Sequence, residues 1–200
     1  MVNNKEQIIK LLEFETKDDF YYLQVLQRKK ENTEIGSNSY LVKSYQITSV
    51  ENLERKMSEI INLCEFHNAR AYINLNRRSF RKVAFELNLK IANQFKNQDY
   101  LSVRKSYDSV CGTSEGMNQK NRRWVVDIDT HDVETIKEIS EFINSIQPVS
   151  RDGDATRIIC SLKTLNGIHL ITNSFRLDTF KQKYPDVDVQ RNNPTLLYIS

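Results

Sequence analysis

The segment Trp124-Val125-Val126-Asp127-Ile128-Asp129 constrains this chain more than any other. Its apolar, largely β-branched start suits a strand. Successive side chains of a strand point to opposite faces, so Asp127 and Asp129 share one face while Val126 and Ile128 turn towards the core. Two carboxylates projecting together repel unless a cation lies between them. Hard oxygen ligands of this kind suit Mg²⁺ or Mn²⁺, particularly when substrate phosphates complete the shell. The plainer alternative is a strand end entering a turn, with Asp129 helping to cap the next helix.

Two later segments repeat the theme. In Lys163-Thr164-Leu165-Asn166-Gly167-Ile168-His169, a tight turn joins strands expected over Arg157–Leu162 and Ile168–Thr172. Lys163, Thr164 and His169 are phosphate-seeking groups, and Gly167 is expected to supply unusual backbone angles. An isolated strand histidine is otherwise a satisfied structural residue. In Val187-Asp188-Val189-Gln190-Arg191, alternation puts Asp188 on a polar face, and Arg191 follows at the strand end as a further nucleotide-binding candidate.

The remaining periodicities outline an α+β chain. A helix is expected over Lys5–Phe14, strands over Phe20–Leu26 and Tyr40–Ile47, and a helix from the N-cap Ser49 carrying Leu53, Met57, Ile60 and Cys64. Ala71–Leu75 reads as a strand, and Ser79 as the cap of a second helix with Phe80, Val83, Leu87, Ile91 and Phe95 on one face. Helix is expected to continue over 98–110, with a loop from Cys111 to Lys120. The stripe Val133, Ile136, Ile139, Phe142, Ile143, Ile146 is helical up to Pro148, and a short helix around Leu177–Tyr184 precedes the strands at Val187 and Leu196–Ile199. Residues 1–120 thus form an N-terminal α/β lobe and residues 121–200 a second lobe, together one two-lobed domain.

Charge is unevenly spread. Residues 70–123 hold twelve Lys and Arg against four Asp and Glu, while residues 124–200 hold eight against eleven. A basic middle beside an acidic final third suits a polyanion track next to a metal site; the bland alternative is a solvated helical face. Arg77, Arg78, Arg81, Lys82, Arg122 and Arg123 are the expected contacts to template phosphates. The aromatics interleaved with this base (Tyr72, Phe80, Phe85, Phe95, Tyr100, Tyr107) would suit stacking on a single strand, but most of them sit at helical core spacing and are expected to pack inside. Cys64, Cys111 and Cys160 lie far apart, which argues against a structural zinc site. Without an apolar leader or a membrane-length run, the chain is expected to be soluble, cytoplasmic and nucleoid-associated, with no membrane partner.

Taken together, the strand ending in D-x-D, the K-T-x-x-G-x-H turn and the later Val187-Asp188-Val189 strand resemble the archaeo-eukaryotic primase superfamily. The likeness is to its primase–polymerase members and to the polymerase domain of bacterial DNA-repair ligases, and it covers residues 121–200. The resemblance implies an RRM-like antiparallel catalytic sheet packed with an N-terminal α/β lobe. It also implies that Asp127, Asp129 and Asp188 bind two divalent metals, that Lys163 and His169 contact the phosphates of a nucleoside triphosphate, and that Asp188 activates the attacking 3′-hydroxyl. The partner would be single-stranded DNA or a primed template. The zinc motif and helical priming domains of several relatives have no counterpart here, so starting strands would call for a helicase or second replication subunit.

Two other D-x-D families fit less well. Haloacid-dehalogenase-type phosphatases need Thr or Val where this chain has His131, and D-x-D glycosyltransferases explain neither the Lys-Thr turn nor Asp188. The stronger rival is a non-catalytic single-strand-binding module or replication accessory subunit on the same fold.

Overall fold

A computed structural model describes residues 1–113, 122–146, 157–192 and 194–200 and shows a mixed α and β chain built on two antiparallel sheets. The first stretch contains β1 (Val2–Asn3), α1 (Lys5–Ile9), β2 (Asp19–Arg28), β3 (Ser39–Ile47), α2 (Val50–Phe66), β4 (Ala69–Asn74), β5 (Arg78–Ser79), α3 (Phe80–Lys96), a 3₁₀ turn at Leu101–Lys105 and α4 (Ser106–Thr113). The second contains β6 (Arg123–Ile128), α5 (Val133–Ser145), β7 (Ile158–Lys163), β8 (Ile168–Asn173), α6 (Leu177–Lys183), β9 (Asp188–Gln190) and β10 (Pro194–Ile199).

The first sheet runs β1-β10-β4-β2-β3, with β5 paired to β2. The unbroken apolar run at the start of β2 reflects cover on both sides. Tyr21, Leu23 and Val25 join the cluster formed by Leu53, Met57, Ile60 and Cys64 of α2, whereas Phe20 and Tyr22 pack with Val83 of α3 and Val110 and Cys111 of α4. Both long helices start where the sequence places their caps: Ser49 accepts from the Asn52 amide and Ser79 from the Lys82 amide. α1 is shorter than the expected 5–14 helix. It ends at Ile9, and Leu11 and Leu12 are buried from the turn that follows. The helix expected over 98–110 is interrupted: Gln98 takes a left-handed φ of 58° after α3, and the chain resumes as the 3₁₀ turn and α4. The expected Cys111–Lys120 loop begins inside α4; its later part, like Pro148, lies outside the described residues.

The second sheet runs β7-β8-β6-β9 from a β-α-β-β-α-β succession. One face carries Trp124, Val126, Ile128 and Leu170 against Ile139 and Ile143 of α5 and Phe180 of α6. The other contributes Val125, Leu162 and Ile171 to the same buried cluster as Ile8, Leu11 and Leu197, which fuses the two sheets. β10, almost wholly apolar, leaves the second lobe and lies buried between β1 and β4 of the first sheet. No described helix is long and apolar enough to cross a membrane.

Candidate active site

The second sheet lines up its polar groups in one cross-strand row. Asp127 on β6 lies directly opposite His169 on β8 and directly opposite Asp188 on β9. Opposed residues in an antiparallel pair project from the same face with Cβ atoms about 5 Å apart. Opposed like charges such as Asp127 and Asp188 cost stability unless a positive charge lies over them. On the β8 side the His169 Nε2 stands 3.3 Å from Asp127 Oδ1. Its Nδ1 lies 2.8 Å from the buried Thr195 hydroxyl of β10, so the ring bridges the two sheets. Asp188 is exposed, and its Oδ2 accepts from Gln190 at 2.7 Å.

The turn between β7 and β8 is pressed against the end of β6. A Cβ built on Gly167 would lie 1.9 Å from the Ile128 carbonyl oxygen and 2.6 Å from the Thr130 amide nitrogen. Glycine is required here for close approach, not for the unusual backbone angles expected from sequence, since no described glycine has a positive φ. The Thr164 hydroxyl closes the turn by accepting from the Gly167 amide at 3.1 Å. Asp129 does not cap the next helix. Asp132 does, accepting from Thr135 at 2.9 Å, which leaves Asp129 exposed.

Asp127, Asp129, Thr164, Asn166, His169 and Gln190 line one wall of a cleft of about 420 Å³. The facing wall comes from the first sheet and the turn after β2: Arg28, Lys30, Glu31 and Arg70, which escaped the sequence reading, together with Tyr72. Arg28 donates to the Tyr72 hydroxyl at 3.3 Å, and Arg70 is ion-paired with Glu31. Cations on one wall thus face carboxylates on the other. No local pattern in β2 or β4 marks these residues; only the pairing of β4 with β10 brings them near Asp127.

The remaining sequence candidates go elsewhere. Lys163 is exposed and shares the side of Ile168, opposite His169, so it lies outside the cleft lining. Arg191 stacks its guanidinium over Trp124, 5.2 Å from the ring centroid, also outside the cleft. Arg78 is buried and is not a template contact. It donates to the Cys111 and Gly112 carbonyls in the last turn of α4, to Asn76 O and to Asn192 Oδ1 at 2.8–3.3 Å. Unpaired C-terminal carbonyls of a helix need donors, and a guanidinium supplies several. Arg77 pairs with Glu15 and Asp19, and Arg123 with Glu13, so both are engaged with acids of the first lobe. Lys82 is half-buried beside Glu86; Arg81 and Arg122 are exposed.

Buried asparagines join the two lobes. Asn4 donates to the Lys163 and Leu196 carbonyls, both at 2.9 Å, and Asn76 donates to those of Arg123 and Arg191 while accepting from the Arg123 amide. As metal ligands, Asp127 and Asp129 offer hard oxygens on one side of a polar cleft. Among the described residues no three His, Cys, Asp or Glu side chains converge on one point. That donor set fits an ion held by one or two carboxylates and completed by phosphate and water, the usual state of Mg²⁺, better than an all-protein cage. Comparison with known proteins returned no match among family models, curated proteins or solved structures.

Proposed function

We propose that the chain is a template-dependent nucleotidyltransferase of the primase–polymerase type, taking nucleoside triphosphates and a single-stranded or primed DNA template in replication or repair. The observation that carries this reading is that Asp127, Asp129 and His169 line a cleft whose opposite wall is cationic, with Asp188 opposite Asp127 in strand register but outside the cleft lining. The β-α-β-β-α-β succession with strand order β7-β8-β6-β9 supports an RRM-like catalytic sheet, the split β-α-β arrangement.

Asp127 and Asp129, joined by Asp188, would hold Mg²⁺ or Mn²⁺. Two such ions, when bound, stabilise the attacking and leaving oxygens of an in-line displacement. The protein's part is to orient and to move a proton. His169, fixed by Thr195, presents its ring to the cleft, and Arg28, Lys30 and Arg70 face the phosphates. Asp188, on the exposed edge strand, accepts the proton of the 3′-hydroxyl as its oxygen bonds to the α-phosphorus and pyrophosphate leaves.

The test is incorporation of labelled nucleotide with Mg²⁺ or Mn²⁺, with and without a primer on single-stranded template, beside Asp127→Ala. Metal-dependent product that Asp127→Ala loses supports the reading, and the no-primer lane separates initiation from extension. Strand binding without product in any lane supports the second reading, a non-catalytic single-strand-binding module, which the exposed aromatics of α3 favour.

A further inference from the structure

α3 covers the first sheet with few of its residues. Val83 is its one buried residue, whereas Phe85, Leu89 and Phe95 are 66%, 52% and 56% exposed, and Tyr100 just beyond is 58% exposed. The expectation that these aromatics pack inside holds for Tyr72 and in part for Phe80 and Tyr107, but not for Phe85, Phe95 and Tyr100. The reason is that α4 takes the place beside Phe20 and Tyr22 that a second row of α3 side chains would fill.

At about 100° per residue, Arg81, Phe85, Leu89, Ala92 and Lys96 fall within about 40° of one outward line. All five are exposed. Phe95 and Tyr100 meet edge to face beside the end of that line, ring centroids 5.6 Å apart. Between Phe80 and Lys105 there are six Lys and Arg against two Asp and Glu. Helices that lie in a membrane surface segregate base from the apolar side. Here Arg81 and Lys96 sit on the apolar line itself. Cores of protein interfaces are depleted of lysine, yet Lys96 sits on this line and Lys82 beside it, whereas Lys90 turns back to the Ser109 hydroxyl of α4. Aromatic faces interleaved with cations are what a single strand requires, since every base has a face to stack and every linkage a charge. The N-terminus of α3 itself is no phosphate site, because Asp18 already accepts from the Arg81 amide there at 2.8 Å.

We propose that the outward face of α3 docks single-stranded nucleic acid, with bases against Phe85, Phe95 and Tyr100 and phosphates against Arg81, Lys96 and Arg104. Arg78 and Arg123 are held within the protein, and Arg77, which lines a hollow with Arg81 and Phe85, is engaged with Glu15 and Asp19. The proposal does not rest on catalysis: strand binding to α3 is measured without nucleoside triphosphate or divalent metal, so it stands or falls apart from the incorporation assay.

The experiment is fluorescence anisotropy of a labelled oligothymidylate against the full chain, over a range of salt, compared with a duplex of equal length. Phe85→Ala/Phe95→Ala/Tyr100→Ala is expected to weaken single-strand binding at least about tenfold, with little effect on duplex binding. Arg81→Gln/Lys96→Gln should flatten the log K against log salt line by about 0.7 per lost contact. The altered side chains are exposed, so the melting temperature should hold; if the triple variant melts early, Phe85→Ser alone gives the same reading with a smaller loss. Undiminished single-strand affinity in the triple variant would overturn the proposal. So would an equal loss for duplex, or a triple variant that keeps strand binding but loses capture by phosphatidylserine vesicles or loses self-association.

Discussion

Gly167 lies so close to Ile128 that a methyl group on it would sit 1.9 Å from the Ile128 carbonyl oxygen. The neighbour is backbone and cannot swing aside. Gly167→Ala is therefore expected to push the β7–β8 turn off the end of β6, costing at least about 2 kcal/mol and displacing Asp129 relative to Asp127. Urea denaturation gives the stability loss, and binding of Mn²⁺ with a nucleoside triphosphate gives the displacement. A variant of native stability would show that the turn moves freely.

His169 is held from both ring nitrogens, which separates a positioning role for Thr195 from a direct role for His169. Thr195→Val keeps the shape and removes the hydroxyl, at an expected cost near 1 kcal/mol. Nucleotide incorporation should fall about tenfold through kcat, with KM little changed, because the ring loses its orienting partner. His169→Asn should lose more. Equal effects on KM alone from both variants would assign them to binding only.

Arg78 and Arg81 stand three residues apart and should behave oppositely. Arg78→Gln strands carbonyls at the end of α4 and is expected to destabilise by about 3 kcal/mol, since hydrogen bonds to a charged group contribute about 1.5–3 kcal/mol each. Arg81→Gln should leave stability within about 0.5 kcal/mol and alter only the salt dependence of strand binding. Denaturation curves and binding isotherms of the two proteins check both statements.

Asp18 gives the N-terminus of α3 a pH dependence. Its carboxyl is held below the ordinary value of 3.8, first by the Ser79 hydroxyl and then by the Arg81 amide, against an opposing effect of burial, with the Arg81 charge adding least. A depressed value means this contribution is fully present above the unfolded value and is lost as pH falls through the folded one. Ser79→Ala should return the Asp18 titration towards 3.8, followed by the carboxyl carbon shift in NMR. An unchanged midpoint would assign the depression to Arg81.

Much of the second sheet was legible because its signals are local. Strand alternation alone puts Asp127 and Asp129 on one face, and serine caps mark where α2 and α3 begin. The Asp127–His169–Asp188 row needed strand register, which one sequence does not carry. The cationic wall was out of reach for the same reason: Arg28 and Arg70 come to the cleft through pairings between residues far apart in the chain. Arg78 misled because a buried arginine in a basic run looks like its exposed neighbours; its burial is decided by carbonyls of α4. Phe95 misled in the other direction, as core spacing describes a helix without saying how much of it is covered.

The return of β10 to the first sheet also sets an order of assembly. Asn74 and Pro194, 120 residues apart, are paired partners. Until β10 arrives, β4 is an open edge, and the loop to be closed contains the whole second sheet. Long-range pairing of this kind slows folding, because closure entropy is spent before contacts repay it. Once closed, it ties the halves into one cooperative unit. The cleft between them should then appear late in folding, and melting should remove both sheets in a single transition.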